Sequence, residues 1–397
     1  MKKIYFDYAA TTFTRKEVIK AMSEYYDDKF GNHFSLHSFG QEALKALDDS
    51  REIIRNIIKA NYSREIIFTS SATESNNLAI KGLIDYFLLT KEFTIRDYKP
   101  HIITTTIEHP SIFGILDYLE EKKNIEVSYV KPGSLDDNSS TPGLVSVDDI
   151  IKNIKENTVL ISIHYVNSEI GVVQDIINIG KKLQEINKQR KNKIYFHIDA
   201  AQVLTENINV GDLNVDLMTL SSHKIYGPKG VAMLYVKLGT PLIPIIHGSE
   251  GEYGLRAGTL PVPLIVGFAT ALNILTNEKD KIRNFLDNLR SYCLNKLLSL
   301  KDVEVNNNFP FVTNKILSLY IKNRQSQETL LYLDSNNIAV STGIACQSRA
   351  SSSSYIIKEV FGKERADKTI RVSFGLNNTE KEVDYFINIL NQFISKK

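Results

Sequence analysis

Lys224 sits in the run SSHKIYGPKG, behind a short apolar stretch and ahead of a Gly-Pro turn. Held in a cleft at a strand end, a lysine amine sheds its proton more readily than in water. It then becomes a nucleophile able to form a Schiff base with a carbonyl carbon. Left on the surface it is only a solvated cation, as most lysines are. Asp199, in HIDAAQ, ends another apolar stretch 25 residues earlier. A carboxylate there either caps a following helix or faces a cationic partner. Cys346 stands in STGIACQSRASSSS, a run with neither strand alternation nor helical period. As a thiolate it would be a nucleophile; as a buried thiol it would be inert packing.

More such residues follow other apolar runs. After REIIFTS comes SATESNN, where a helix is expected to start near Thr73. Its free backbone N–H groups and positive dipole end would receive a phosphate, with the Thr73 hydroxyl either adding a donor or merely capping. Ser221 and His223, just ahead of Lys224, could complete that cradle. His109, in TTIEHPS, can stack on a planar group and move protons, or be a satisfied structural imidazole. A pyridinium nitrogen would serve as the cation for Asp199, as in enzymes that use pyridoxal 5'-phosphate (PLP), and Gln202 could donate to the ring hydroxyl. Asn167 in HYVNSEIG and Arg371 in KTIRVSFG could hold a substrate, since the arginine fork matches a carboxylate.

The elements that must position these groups are legible in the hydropathy. REIIFTS, HIITTTIE, IEVSYV, TVLISIHYV, KIYFHIDA and VDLMTLSS read as strands. Helical period appears between them, in QEALKALDDSREIIRNIIKA and ESNNLAIKGLIDYFLL. Strand alternating with helix predicts an α/β domain with a mostly parallel sheet, whose ligands bind beyond the carboxyl ends of the strands. KPGSLDDNSSTPG reads as a loop. From about residue 262 a long helical stretch leads into short strands and a last helix near EKEVDYFINILNQFISK, which predicts a smaller α+β domain carrying Cys346.

Bulk properties narrow the function classes. The 397 residues carry 48 basic and 46 acidic side chains, a net charge of +2, so charge gives no case for nucleic acid or an anionic membrane. No run approaches the ~20 apolar residues of a membrane span, and MKKIYFDYAATTF lacks a signal-peptide core. Two cysteines, Cys293 and Cys346, make neither a disulfide framework nor a zinc site, and no metal is expected. A reducing, cytoplasmic setting is the simplest reading.

In chain order, YFDYAATT, FTSSATESNNLAIKG, TTIEHPSI, VNSEIGVVQ, HIDAAQ, SSHKIYGPKGVAMLYV, RAGTLP, STGIACQS and IRVSFG resemble the cysteine desulfurases of the NifS/IscS type. These belong to the class V aminotransferase branch of the fold-type I PLP enzymes. The resemblance runs from residue 4 to about residue 385. It implies a large PLP-binding domain over residues 15–261. Residues 1–14 and 262–397 would form a small domain bearing the cysteine loop at about 341–354. It implies PLP joined to Lys224, with Asp199 on the ring nitrogen, Gln202 on the phenolate oxygen and His109 on the ring face. Ala72, Thr73, Ser221 and His223 would bind the phosphate, and Thr259 would reach the phosphate of a neighbouring subunit in a homodimer. Asn167 and Arg371 would bind the carboxylate of L-cysteine. Cys346 would take the sulfur as a persulfide, leaving L-alanine, and pass it to an acceptor protein in iron–sulfur cluster assembly or tRNA thiolation. A thiol that must attack in a cleft and then face a partner needs a flexible loop, and the serine run suits one. Cys293, in RSYCLNKLL, keeps the buried reading.

The chain departs from the family pattern in places. Ser71 stands for a glycine, His33 for a proline and Ser168 for an asparagine; ACQSRASSSSYII replaces a family-like ACTSxxxxPSHVL, with Arg349 added and Ser353 where proline is expected. Two alternatives share the fold, a selenocysteine lyase and a class V aminotransferase, and the latter would not need Cys346. A non-catalytic sulfur-relay protein is the third, although a degenerate relative should have lost one of Lys224, Asp199, His109 and Cys346.

Overall fold

Short apolar runs make strands when both faces are covered, because a parallel sheet leaves neither side to water. The computed structural model, which describes residues 3–90, 99–123, 125–343 and 353–396, forms strands at all six runs, of which only the edge strand at Glu126–Val130 is left mostly half-buried or exposed. A two-residue strand, β1 (Ile4–Tyr5), opens the chain. The six runs then form β2 (Ile66–Thr69), β3 (His101–Thr105), β4 (Glu126–Val130), β5 (Thr158–His164), β6 (Tyr195–Asp199) and β7 (Leu217–Ser221). A further strand absent from the sequence reading, β8 (Ala232–Val236), follows the lysine turn; its five residues are all buried. The seven-stranded sheet has the order β2-β8-β7-β6-β5-β3-β4, and only β8 runs against the others. The carboxyl ends of β2, β3, β5, β6 and β7 therefore share one edge.

Helices Ser38–Ile58 and Ala72–Leu89 occupy the positions their periods predict, and residues 131–143 are irregular. The long helical stretch is broken at Glu278 into Val262–Asn277 and Lys279–Leu297. The first of these packs on helices Lys16–Ser23 and Ser38–Ile58. Beyond it, β9 (Val303–Val305), β10 (Ile316–Ile321) and β12 (Thr369–Ser373) form an antiparallel sheet of order β12-β10-β9, and β11 (Ile338–Ala339) pairs in parallel with β1. Helix Glu380–Ser395 closes the chain under a capping box made by Thr379 and Glu382. One apolar cluster, including Phe68, Phe196, Phe268, Phe374 and Phe386, joins the two sheets. No helix among the described residues is long and apolar enough to cross a membrane.

The N-terminal segment has a special path. It leaves β1, bridges Asp7 to Ser373 on β12, and then crosses the carboxyl edge of the large sheet. A strap from one sheet thus lies over the functional end of the other.

Candidate active site

A cavity of about 220 Å3 opens at that shared edge. Each strand end contributes: Ala72 and Thr73 after β2, His109 after β3, Asn167 after β5, Asp199 and Gln202 at β6, and Ser221, His223 and Lys224 at β7.

Lys224 ends a 3₁₀ turn, Ser222–Lys224, and its Nζ donates to the carbonyl of Ala9 on the strap. The strap also fixes the turn itself. Thr12 donates through both its N and its Oγ1 to the His223 carbonyl at 2.9 Å, and Tyr226 N donates to Thr12 Oγ1 at 2.8 Å. Tyr226 is left-handed, with φ of 66°, a conformation held only where neighbours over-determine it. Here the Tyr226 hydroxyl supplies another tie, accepting from Leu376 N at 3.1 Å.

Asp199 is buried, and residues 200–209 form no helix, so it caps none. Its Oδ1 accepts from Ala201 N at 2.9 Å and its Oδ2 from Asn76 Nδ2 at 2.8 Å. Asn76 also donates to Ser111 Oγ at 3.0 Å, and that hydroxyl lies 2.9 Å from His109 Nδ1. Ser111 N donates to the same Nδ1 at 3.1 Å. A backbone N–H can only donate, so the proton of the neutral imidazole belongs on Nε2. Burial holds the His109 pKa below its usual value against the pull of Asp199, and the Lys224 charge adds to the depression. Gln202 Nε2 donates to the Ala9 carbonyl at 2.8 Å, and among the described residues its Oε1 is buried without a partner.

At the other end of the cavity the helix cap falls to Ser71, not Thr73. Ser71 has extended φ and ψ of −165° and 160°, and its Oγ accepts from Glu74 N at 3.2 Å, a cap worth about 1 kcal/mol. The departure from glycine therefore brings its own stabilisation. The first-turn N–H groups of Ala72–Leu89 have no intrahelical acceptor and carry the positive end of the dipole. His223, whose Nδ1 meets Thr11 Oγ1 at 3.1 Å, is pushed down to about 4 by burial and by the charges of Lys224 and Lys229. That concentration of positive charge suits an anion. An acid at one end, an amine beside a neutral imidazole, and a helix N-terminus at the other fit a flat pyridine carrying a phosphate.

Arg371, on β12, does not line the cavity itself. Its Nη1 donates to the carbonyl of Ser168, which does, and its Nη2 pairs with Asp7 Oδ1, both at 2.7 Å. Its Nε has no partner among the described residues. Asn167 uses its amide to build the turn it stands in: Oδ1 accepts from Glu169 N at 2.9 Å and Ile170 N at 3.0 Å. Of Ser168 only the backbone serves here, so its exchange for asparagine leaves this contact intact. His33 is buried beside the Arg51–Glu252 ion pair, away from the cavity. Thr259 is exposed and does not line this chain's cavity. Arg256, three residues before it, pairs with Glu74 at 3.0 Å and ties that loop to the helix start. Cys346 and Arg349 lie outside the described residues. Cys293 is buried, its thiol pushed up to about 12 by desolvation.

Sequence reasoning missed Asn76, Ser111, Asp7, Ala9 and the cavity-lining His164. Asn76 left a trace, since it stands one helical turn after Thr73 and on the same face. The strap residues left none, because their partners lie more than 190 positions away.

The chain matches the family described as Aminotransferase class-V over residues 4–386. It is 39% identical over 400 residues to the cysteine desulfurase IscS of Buchnera aphidicola, covering 99% of this chain and 93% of that protein. It is 37% identical over 402 residues to the cysteine desulfurase IscS of Dictyoglomus turgidum, covering 100% and 95%. Among solved structures, a NifS-like protein superimposes with a TM-score of 0.88 at 31% identity, covering 99% of each chain. SspA, solved in complex with cysteine, does so with a TM-score of 0.78 at 33% identity, covering 94% of this chain and 98% of that one.

Proposed function

This chain belongs to the class-V aminotransferase family and, within it, to the fold-type I cysteine desulfurases of the NifS/IscS type; it is a PLP-dependent cysteine desulfurase, and we propose which of its residues carry the reaction. When bound, PLP supplies an electron sink for the charge left as the cysteine Cα loses its proton. Lys224 holds the cofactor and moves that proton. Asp199, fixed by Asn76 and Ala201 N, would keep the ring nitrogen of the bound cofactor protonated, and Gln202 would serve its ring oxygen. His109 presents its ring with the proton on Nε2. Ala72, Thr73, Ser221 and His223 take the phosphate. Arg371, with Asn167, takes the carboxylate of L-cysteine. The Cys346 thiolate attacks the substrate sulfur; the Cβ–S bond breaks as an S–S bond forms. L-Cysteine and the Cys346 thiol become L-alanine and a Cys346 persulfide, so no outside oxidant is required.

The observation that carries this reading is the meeting of the Lys224 amine, the Asp199 carboxylate and a neutral His109 in one cavity beside a helix N-terminus. The persulfide then goes to an acceptor protein, an iron–sulfur scaffold or a tRNA-thiolation enzyme, in the cytoplasm. Residues 15–261 form the large domain, and residues 1–14 with 262–397 the small one. A homodimer would bring Thr259 to a second copy's phosphate. A groove lined by the exposed Phe34, Leu44 and Tyr253 lies near that loop and supports such a contact. The test is mass spectrometry of the Cys346 peptide after brief incubation of the PLP-loaded protein with L-cysteine and no reductant. A gain of one sulfur atom with matching alanine is expected. Alanine with an unmodified peptide would remove Cys346 from its role.

A further inference from the structure

Building on that reading, we propose that Glu169 is a positioning residue for sulfur transfer: one buried carboxylate, beside the turn of Asn167 and Ser168, that hydrogen-bonds the C-terminal flank of the segment bearing Cys346 and packs against its N-terminal flank. On the C-terminal flank, Ser354 Oγ donates to Glu169 Oε2 at 2.5 Å. The same hydroxyl accepts from Ile357 N at 3.0 Å and so caps helix Tyr355–Phe361. On the N-terminal flank, Gly343 passes so close that an added Cβ would lie 2.5 Å from Glu169 Oε2. Gly343 also has φ of +97°, a conformation that favours glycine. The two flanks thus meet at one carboxyl group, one through a hydrogen bond and the other through close packing.

That group is in turn wired to the substrate side. Glu169 N donates to Asn167 Oδ1, and the Ser168 carbonyl between them accepts from Arg371. Ser341 exchanges backbone hydrogen bonds with Arg371, at 3.1 and 2.6 Å. The residues that would bind the cysteine carboxylate and the anchors of the thiol-bearing segment therefore share one frame. A fixed frame limits where a tethered thiol can travel and raises its effective concentration at the substrate sulfur. Packing alone does not explain an acid here. Glu169 is 4% exposed, and burial pushes its pKa up to about 7 against the pull of Ser354 and Arg371. An apolar side chain would fill the space without that desolvation cost but would offer Ser354 no acceptor.

The experiment compares Glu169→Ala, Glu169→Gln and Ser354→Ala in the PLP-loaded full chain, reading two events in a single turnover. One is the change in cofactor absorbance when L-cysteine binds, and the other is persulfide on Cys346 by mass. In Glu169→Ala the absorbance change should keep the wild-type rate while persulfide formation slows about tenfold, the scale of one buried charge-assisted hydrogen bond. Glu169→Gln keeps an acceptor for Ser354 and should restore most of the rate. Ser354→Ala should reproduce the defect, and the double variant should be no worse than either single one. Parallel loss of both events in Glu169→Ala would reduce Glu169 to a structural or substrate-binding part and overturn the proposal. Unchanged persulfide formation, or a glutamine variant as slow as the alanine one, would overturn it too. Wild-type protein that makes no Cys346 persulfide would instead refute the parent reading, and this one with it.

Discussion

The side chains of Lys224 and Gln202 donate to one acceptor, the carbonyl oxygen of Ala9. That carbonyl belongs to the N-terminal strap, and Ala9 N is itself held by Ser373 Oγ at 2.9 Å. The amine is thus aimed by a backbone group from the far end of the chain. Lys224→Ala should leave the fold intact, since the strap keeps its bonds to His223 and Tyr226. It should abolish the visible cofactor absorbance and lower turnover by about a thousandfold or more. A coloured variant after gel filtration would refute the attachment of PLP to Lys224.

Arg371 is committed in two directions before any substrate arrives, to Ser168 and to Asp7, and its side chain is 5% exposed. A lysine keeps the charge but cannot span both partners and still offer a planar pair of donors. Arg371→Lys should therefore raise the KM for L-cysteine roughly tenfold or more, with a smaller effect on kcat. Steady-state alanine production at varied cysteine concentration measures the split. An unchanged KM would move the carboxylate site elsewhere.

The two cysteines should behave oppositely. Cys293 is fully buried in helix Lys279–Leu297 and its thiol is pushed up to about 12, so it holds almost no thiolate at neutral pH. Cys293→Ala should keep full persulfide formation while losing about 1 kcal/mol of stability for the missing sulfur in the core. Cys346→Ala should keep cofactor colour and lose persulfide and turnover. Sulfur found on the Cys293 peptide of the native protein would contradict both expectations.

The site was legible wherever its residue types follow a strand. The parallel sheet writes its strands as apolar runs, so the position just after each run marks the ligand edge, and Lys224, Asp199, His109 and Thr73 all lie there. What tertiary structure adds is the second partner of each group. Asn76 on Asp199 and Asp7 on Arg371 are contacts between elements whose relative placement no local pattern encodes, whereas Ser111 meets His109 from only two residues away in the same turn. β8 is a plain apolar run, VAMLYV, but it follows the Gly-Pro-Lys-Gly turn so closely that it merges with the lysine motif in the sequence. The break at Glu278 was missed because apolar period continues across it, with Leu275 and Ile282 both in the core.

Acid should weaken the fold through His197, which sits in β6 two residues before Asp199. Its Nδ1 meets Ser162 Oγ at 2.9 Å and its Nε2 meets Thr219 Oγ1 at 3.2 Å, so the neutral ring is satisfied within the sheet. Complete burial pushes its pKa down from 6.5 to about 4, although the Asp199 charge pulls the other way. Above pH 6.5 the ring is neutral both folded and unfolded and contributes no pH dependence. As the pH falls from 6.5 towards 4, the unfolded chain takes up a proton that the folded chain refuses, and stability is lost. At pH 5 the loss from this one residue is about 2 kcal/mol. His197→Gln cannot titrate, so the stability gap between wild type and variant should shift by that amount, in the variant's favour, between pH 7 and pH 5. Urea unfolding at the two pH values measures it. A gap independent of pH would mean that His197 titrates normally in the folded protein, and that the sheet beneath Asp199 is less dry than its burial implies.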